Sequence, residues 1–206
     1  MQTAEQRDGA MLRPATVAIV GRPNVGKSAL FNRLIGQRMA IVEDTPGVTR
    51  DRLYALCEWR GRTFSLVDTA GIDSAAEKNP DTAIAATQKQ AEAAAQEADA
   101  ILFVVDAAAG RNPLDDDVAK ILRKTRRPVI LAANKAESPN AQSSIYGEFG
   151  ALGFGEPLGV SAIHGEGTGD LLDRVVDLLP PEPSPQEQSD ELAIAIVGRP
   201  NVGKSS

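Results

Sequence analysis

The sequence predicts an α/β domain with a mainly parallel sheet of six strands, helices on both faces and one antiparallel strand at an edge. Apolar segments of strand length alternate with segments of helical periodicity, which is typical of parallel sheets covered on both sides. Two early strand-like segments flank a turn and indicate an antiparallel hairpin. Near the start, an apolar run leads into G-x-x-x-x-G-K-S, which indicates a phosphate-binding loop between a strand and a helix.

The first strand, the loop and the first helix are the most clearly marked elements. Ala15–Val20 is an apolar run of strand length. After the loop, Leu30, Phe31 and Leu34 recur at helical spacing and predict an amphipathic helix.

The later elements are indicated by the same signals. In chain order we predict hairpin strands Arg52–Glu58 and Thr63–Val67 around Trp59-Arg60-Gly61, an alanine-rich helix near Asp81–Glu97, strands Ala100–Val105, Val129–Ala133 and Leu158–Val160, and a final helix marked by Leu171, Val175 and Leu178 that ends at Pro180. Asn112 and Pro113 open one further helix as its cap and first-turn residues. Asp115–Asp117 lie at its positive end, and Arg123 and Lys124 lie near its negative end.

Composition narrows the classes of function. The 206 residues are 42% hydrophobic, enough for one well-packed domain. The net charge of −6 gives no overall field that would collect nucleic acid. The single cysteine, Cys57, excludes an internal disulfide and suits a reducing cytoplasm. No apolar stretch approaches the roughly 18 to 20 residues of a membrane span, so we expect no membrane partner.

A repeat defines the expected domain layout. Val17–Ser28 returns almost unchanged as Ile194–Ser205, about one domain length further along the chain. We therefore expect residues 1–14 to be a disordered extension, 15–180 a first nucleotide-binding domain, 181–192 a polar linker and 193–206 the truncated start of a second such domain. The apolar strand of that second copy would be an unpaired edge here, so we expect poor order there.

The first phosphate loop carries the most specific chemistry. It consists of Gly21, Arg22, Pro23, Asn24, Val25, Gly26, Lys27 and Ser28. The two glycines allow the backbone to wrap a phosphate with its N–H groups pointing inward, Lys27 reaches the terminal phosphates, and Ser28 offers its hydroxyl to Mg²⁺. An ordinary glycine-rich turn is the alternative, but the full motif between a strand and a helix occurs twice. A phosphate loop alone does not distinguish ATP from GTP.

Three further polar motifs follow predicted strands. They are Asp68-Thr69-Ala70-Gly71, Asn134-Lys135-Ala136-Glu137 and Ser161-Ala162. A carboxylate at Asp68 can hold a water of the metal, and the Gly71 N–H can reach a γ-phosphate, although a lone Asp before a turn is usually only a turn former. The motifs together place a nucleotide across the carboxyl edge of the sheet.

These motifs resemble those of the translation-factor-like GTPases in their residues and in their order along the chain. Together with Val42–Arg52, Gly153–Pro157 and Ser161–Gly167, they look like the first G domain of the Der (EngA) family. The resemblance covers about Ala15–Leu179 and implies the Ras-like G domain of the P-loop NTPase fold. It also implies GTP hydrolysis coupled to assembly of the large ribosomal subunit, with a second G domain and a KH-like domain in the full-length protein. We do not expect ribosome association from the present residues alone.

The resemblance also implies further roles for single residues. Thr49 would be the threonine of switch I that meets Mg²⁺ and the γ-phosphate. Asn134, Lys135, Ser161 and Ala162 would frame the guanine. The base-reading motif of such GTPases usually ends in aspartate, whereas this sequence has Glu137, one methylene longer. A longer arm can tilt the paired hydrogen bonds to guanine N1 and N2, so we expect guanine preference with altered affinity.

The predicted mechanism of hydrolysis depends on two residues. Ile72 stands where many small GTPases have a water-orienting glutamine, and no arginine finger is recognisable, so intrinsic hydrolysis should be slow. In related GTPases with the same loop, the residue matching Asn24 helps to hold a potassium ion beside the phosphates, which implies stimulation by K⁺. A turn-forming role following Pro23 is the alternative for Asn24. Gln37–Thr49 and Gly71–Pro80 would be the switch segments that order around the γ-phosphate.

Two other functions remain open at this point. The domain could be a regulatory nucleotide-binding module with little turnover, which Ile72 and Glu137 would suit. It could also be the cytosolic G domain of a membrane iron transporter, but the apolar spans that this predicts do not occur in the sequence.

Overall fold

The computed structural model describes residues 13–36, 53–69, 80–137 and 141–181, with side chains from residue 84 and from residue 144 onward in the last two ranges. The elements in chain order are β1 (Ala15–Val20), α1 (Lys27–Gly36), β2 (Leu53–Trp59), β3 (Arg62–Asp68), α2 (Pro80–Glu97), β4 (Ala100–Asp106), α3 (Pro113–Leu122), β5 (Val129–Asn134), α4 (Ala141–Phe149), β6 (Leu158–Val160) and α5 (Thr168–Leu178).

The six strands form one sheet in the order β2-β3-β1-β4-β5-β6. Strand β2 pairs antiparallel with β3, and all other neighbours are parallel. The predicted fold class, with its single antiparallel edge strand, is confirmed. Because β1, β3, β4, β5 and β6 run the same way, their carboxyl ends meet at one edge of the sheet.

Two apolar layers cover the two faces of the sheet. Helices α1 and α5 cover one face, where Leu30, Phe31 and Leu171 pack against strand residues. Helices α2, α3 and α4 cover the other face, where Val118 and Phe149 do the same. Strand β4 is buried along its whole length, as expected for a central strand covered on both sides.

The hairpin turn is shorter than the sequence predicts. Trp59 belongs to β2 and pairs with Arg62, so the turn consists of Arg60 and Gly61 alone. Their φ angles are 51° and 76°. Positive φ at both central residues is what a two-residue type I′ turn requires, and this turn matches the twist of the flanking strands.

The tip of this hairpin is attached to the last helix. Trp59 Nε1 donates to Asp173 Oδ1 at 2.7 Å, and Arg60 Nη1 lies 3.5 Å from Asp177 Oδ1. Arg62 donates from its guanidinium to the carbonyl of Pro180, beyond the end of α5. The antiparallel edge of the sheet is thereby connected to the end of α5 and to the residue that follows it.

Helix α3 begins as predicted and α4 was not predicted. The Asn112 side chain accepts from Leu114 N at 3.0 Å, and Asp115 Oδ2 accepts from Asn112 N at 2.9 Å. This reciprocal cap fixes the start of α3. Helix α4 lacks a continuous apolar stripe and contains a glycine, and Ile145 and Phe149 supply its described buried side chains, so periodicity gave no signal.

Cys57 provides a test of the packing on the hairpin. Its side chain is 2% exposed and faces the carbonyl of Leu34, and burial raises its pKa to about 11. A raised pKa keeps the thiol protonated, and therefore unreactive, at pH 8. We expect a disulfide reagent to label the folded chain at least about a hundredfold more slowly than the urea-unfolded chain. Equal rates for both would contradict the burial.

Among the residues that the structure describes, no helix is long and apolar enough to cross a membrane.

Candidate nucleotide-binding site

The polar motifs converge on the carboxyl edge of the sheet. Asp68, Asp106 and Asn134 are the last residues of β3, β4 and β5. In register, Ile19 lies beside Asp68, and Asn134 lies between Asp106 and Val160. Residues far apart in sequence are thus brought to one edge, directly beside the loop that follows β1.

The phosphate loop passes too close to its neighbours to carry side chains at its glycines. A Cβ on Gly26 would lie 2.3 Å from Asn134 Nδ2, and its φ of +90° also favours glycine. On Gly21, a Cβ would lie 2.3 Å from the carbonyl oxygen of Val104. The glycines therefore permit the loop to lie directly on the ends of β4 and β5.

Lys27 lies within this loop at the start of α1. Its side chain is buried, and Nζ donates to the carbonyls of Gly21 at 2.7 Å and Arg22 at 2.9 Å. By contrast, Asn24 and Ser28 are exposed on the same loop. The loop thus combines one inward ammonium with accessible amide and hydroxyl groups.

The end of β3 is fixed against β1. Asp68 is fully buried, and the Thr69 hydroxyl donates to the carbonyl of Ile19 at 2.6 Å. This bond holds the carboxylate end of β3 next to the start of the phosphate loop. Three predicted site residues, Thr49, Ala70 and Gly71, lie outside the described residues. The predicted second phosphate loop, the whole switch segment Gln37–Thr49 and all of Gly71–Pro80 except Pro80 also lie outside them.

Asn134 joins the loops of three strands. It is 2% exposed; Nδ2 donates to the carbonyl of Val25 at 2.9 Å, and Oδ1 accepts from Ala162 N at 3.0 Å. Arg33 of α1 also donates from Nε to the carbonyl of Ala162 at 2.8 Å. One side-chain amide therefore holds the phosphate loop and the Ser161-Ala162 loop in a fixed relation.

Lys135 makes two contacts with its ammonium. It donates to the carbonyl of Asn24 at 2.9 Å and to Asp106 Oδ2 at 2.5 Å. Burial acts to raise the pKa of the Asp106 carboxyl, but the hydrogen bond and charge of Lys135 and the N–H groups of Ala109 and Ala108 outweigh it and hold that pKa below its usual value. The sequence analysis did not identify Asp106 as a site residue. The available indication was an acidic residue directly after the apolar strand 100–105.

Glu137 lies beside Ser161 and the only histidine. The Ser161 hydroxyl donates to Glu137 Oε1 at 3.4 Å, and His164 Nε2 lies 3.6 Å from the same oxygen. The backbone N–H of His164 donates to Ser161 Oγ at 3.1 Å. The sequence analysis assigned both Glu137 and Ser161 to guanine recognition, but it did not predict that His164 lies beside them.

A buried ion pair supports the phosphate loop from α3. Arg22 Nε lies 3.4 Å from Asp115 Oδ1, and the Asp115 side chain is completely buried. The contact is a charge pair without the alignment of a hydrogen bond. Burial raises the pKa of Asp115, opposed by the N–H of Asn112 and by Arg22, so the pair only partly offsets the loss of hydration.

Removing this carboxylate should destabilise the domain. Asp115→Ala leaves the half-buried Arg22 without its counter-ion and removes half of the α3 cap, so we expect the free energy of unfolding in urea to fall by about 2–4 kcal/mol. Asp117→Ala is the matched control, because Asp117 makes a solvent-exposed pair with Lys120 and should cost less than about 0.5 kcal/mol. Similar losses for both variants would refute the role of the buried pair.

Comparison with protein families agrees with this geometry. A family described as 50S ribosome-binding GTPase matches residues 16–135, more than half of the chain. The chain belongs to this GTPase family. The matched segment includes the phosphate loop, Asp68 and Asn134-Lys135, so the family covers the site from its first loop to the end of β5.

Curated relatives within this GTPase family carry the name GTPase Der. The protein of Pelotomaculum thermopropionicum is 57% identical over 190 residues, which are 92% of this chain and 42% of that protein. The protein of Oceanobacillus iheyensis is 48% identical over 195 residues, 95% of this chain and 44% of its own length. The resemblance to the Der family is confirmed, and the chain spans less than half the length of these relatives.

Solved structures show the same GTPase fold. A variant of Era from Aquifex aeolicus, bound to GDP·AlF4−, has a TM-score of 0.60 and 27% identity, covering 82% of this chain and 58% of that one. The G domain of the T. maritima FeoB iron transporter has a TM-score of 0.54 and 27% identity, covering 80% and 98%. Identity to the Der relatives is about twice as high, which disfavours the iron-transporter alternative.

Proposed function

We propose that this chain binds GTP and GDP with Mg²⁺ and hydrolyses GTP. The observation that carries the proposal is the bridge made by Asn134, which holds the phosphate loop at Val25 and the Ser161-Ala162 loop at Ala162. A bridge of this kind sets a fixed distance between a phosphate cradle and a base pocket. Membership in a GTPase family supports the same function.

The phosphate side of the site suits a triphosphate and a hard cation. Inward backbone N–H groups of the loop and the Lys27 ammonium would bind the phosphates. The Ser28 hydroxyl and the Asp68 carboxylate offer oxygen ligands of the kind that Mg²⁺ prefers. Thr49 and the Gly71 N–H would contact the γ-phosphate. When bound, Mg²⁺ neutralises charge on the phosphate oxygens.

The base side of the site suits guanine. Glu137 lies within hydrogen-bond reach of Ser161 in the loop after β6, and Asn134 accepts from Ala162 N in the same loop. The Glu137 carboxylate would accept from guanine N1 and N2, and the Ser161 hydroxyl restrains its longer arm. Adenine has no pair of donors at this edge, so we expect GDP to be preferred over ADP by at least about a hundredfold.

We also propose that Asn24 helps to hold a potassium ion that speeds GTP hydrolysis. Its backbone carbonyl already accepts from Lys135, and its residue is exposed on the loop with a φ of 65°. The exposed side-chain amide is therefore the group that would bind K⁺ beside the phosphates. With Ile72 unable to orient water, intrinsic hydrolysis is expected to be slow in sodium and faster in potassium.

The wider role is proposed from the relatives. Residues 15–180 would be the first G domain, with 1–14 an extension, 181–192 a linker and 193–206 the start of a second G domain. The full-length protein would add that domain and a KH-like domain, and would act in the cytoplasm in assembly of the large ribosomal subunit. The name of the matching family supports this role.

Two measurements test the proposal and its rival. Calorimetry with GDP, GTP and ADP at millimolar Mg²⁺ tests binding, and failure to bind guanine nucleotides would refute the function. Single-turnover hydrolysis in potassium and in sodium at equal ionic strength tests turnover. Tight binding with no phosphate release in either salt would favour a regulatory nucleotide-binding module, and equal rates in both salts would remove the role of K⁺.

A further inference from the structure

The carboxylate of Asp106 is held in one orientation by its own loop. Its Oδ1 accepts from the backbone N–H groups of Ala108 at 3.0 Å and Ala109 at 2.9 Å. The carbonyl of Asp106 also accepts from Gly110 N at 3.0 Å. These bonds close a tight turn directly after β4 and fix the direction of the second carboxylate oxygen.

That second oxygen receives the ammonium of Lys135. Oδ2 lies 2.5 Å from Lys135 Nζ, and the carboxylate is 5% exposed, whereas the Lys135 side chain is 37% exposed. A carboxylate whose direction is already fixed needs no reordering to accept from the ammonium, and a hydrogen bond between two charged groups is stronger than one between neutral groups. Asp106 therefore determines where the end of the Lys135 side chain lies.

The same ammonium reaches the phosphate loop. Lys135 Nζ donates to the carbonyl of Asn24 at 2.9 Å. Both residues have positive φ values without being glycine, 66° for Lys135 and 65° for Asn24. Asparagine adopts this conformation readily, but in a lysine it is uncommon and persists where surrounding contacts hold it, and the two contacts of the ammonium are of this kind.

We propose that Asp106 is a positioning residue for nucleotide binding, which fixes Lys135 across the Asn24 carbonyl and so joins the base side of the site to the phosphate loop. The inference rests on the proposed function, because it assigns Lys135 to the base side. Without the carboxylate, the ammonium loses one of its two partners and the lysine side chain gains rotational freedom. Part of the binding free energy of the nucleotide must then be used to order the Lys135 side chain, which Asp106 orders in advance in the unmodified chain.

The test is a double-mutant cycle on GDP affinity, measured by calorimetry with the whole chain and excess Mg²⁺. Asp106→Asn keeps an oxygen for the N–H groups of Ala108 and Ala109 but removes the charge, and we expect the Kd for GDP to rise about tenfold. In a Lys135→Met background, the same change should alter the Kd by less than about twofold, because the positioned group is absent.

Asp99→Asn is the matched control. Asp99 precedes β4 at the opposite end of the strand and accepts from Thr16 N at 2.8 Å. Its loss should lower the unfolding temperature but leave the Kd for GDP unchanged. A purely structural role of Asp106 would therefore behave like Asp99, with lower stability and unaltered affinity.

The outcomes separate this inference from the proposed function. If the unmodified chain does not bind guanine nucleotides, both fail. If it binds GDP and Asp106→Asn binds equally well, or loses the same factor in the Lys135→Met background, only the positioning role is overturned. Should Asp106→Asn not fold, Asp106→Glu displaces the same charge by one methylene, and a rise of about threefold in Kd that disappears with Lys135→Met is expected.

Discussion

Gly26→Ala is expected to lower the affinity for GDP by at least about a hundredfold, since two separate costs act on one residue. A φ of +90° is unfavourable for alanine by about 1–2 kcal/mol. The new Cβ would also lie 2.3 Å from Asn134 Nδ2, so the amide must move away from Val25 and lose a buried hydrogen bond of about 1–3 kcal/mol. Together these displace the phosphate loop. Titration of GDP by calorimetry measures the effect.

Gly147→Ala is the control for this change. Gly147 is exposed within α4, and a Cβ there would have no neighbouring atom within 4 Å. Alanine should leave GDP affinity unaltered and stabilise the helix by roughly 1 kcal/mol. Normal GDP binding by Gly26→Ala would show that the loop tolerates a side chain, and the close approach of loop and β5 would then be irrelevant to binding.

Asn134→Ala is the second change with a large expected effect. The change removes the amide nitrogen that donates to the carbonyl of Val25 and the amide oxygen that accepts from Ala162 N. Both backbone groups then lose their Asn134 partner inside the site. With about 1–3 kcal/mol for each buried group, we expect stability to fall by about 2–4 kcal/mol and GDP affinity to fall by at least about a hundredfold.

Thermal unfolding with and without GDP separates the two effects. The Asn134→Ala chain should unfold at lower temperature and should gain little stability from added GDP, because ligand stabilisation follows affinity. Gln96→Ala, on the exposed side of α2, serves as a control that retains both the stability and the response to GDP. An undiminished GDP response in Asn134→Ala would mean that the amide bridge does not organise the site.

The sequence was a good guide to elements and motifs, and a poor guide to the contacts between them. The phosphate loop is a contiguous motif, and β4 is a continuous apolar run, so both could be predicted from local pattern. The role of Asp106 depends on a lysine 29 positions away, which no local pattern reveals. The pairing of Arg22 with Asp115 likewise depends on how α3 packs against the phosphate loop.

The hairpin shows the same limit at the level of one residue. Trp59 looked like part of a three-residue turn, but its backbone is the last residue of β2 and its indole donates to Asp173 of α5. Helix α4 escaped prediction because burial of Ile145 and Phe149 against the sheet, and not a periodic stripe, stabilises it. In each case tertiary packing decided what local propensity left open.

Contacts from the tip of the hairpin hold the antiparallel edge of the sheet to the end of α5. Leu53 and Asp68 pair at the base of the hairpin, while Trp59, Arg60 and Arg62 secure its tip. A sliding of β2 and β3 along β1 must therefore either rupture the indole and guanidinium contacts or drag the end of α5 with it.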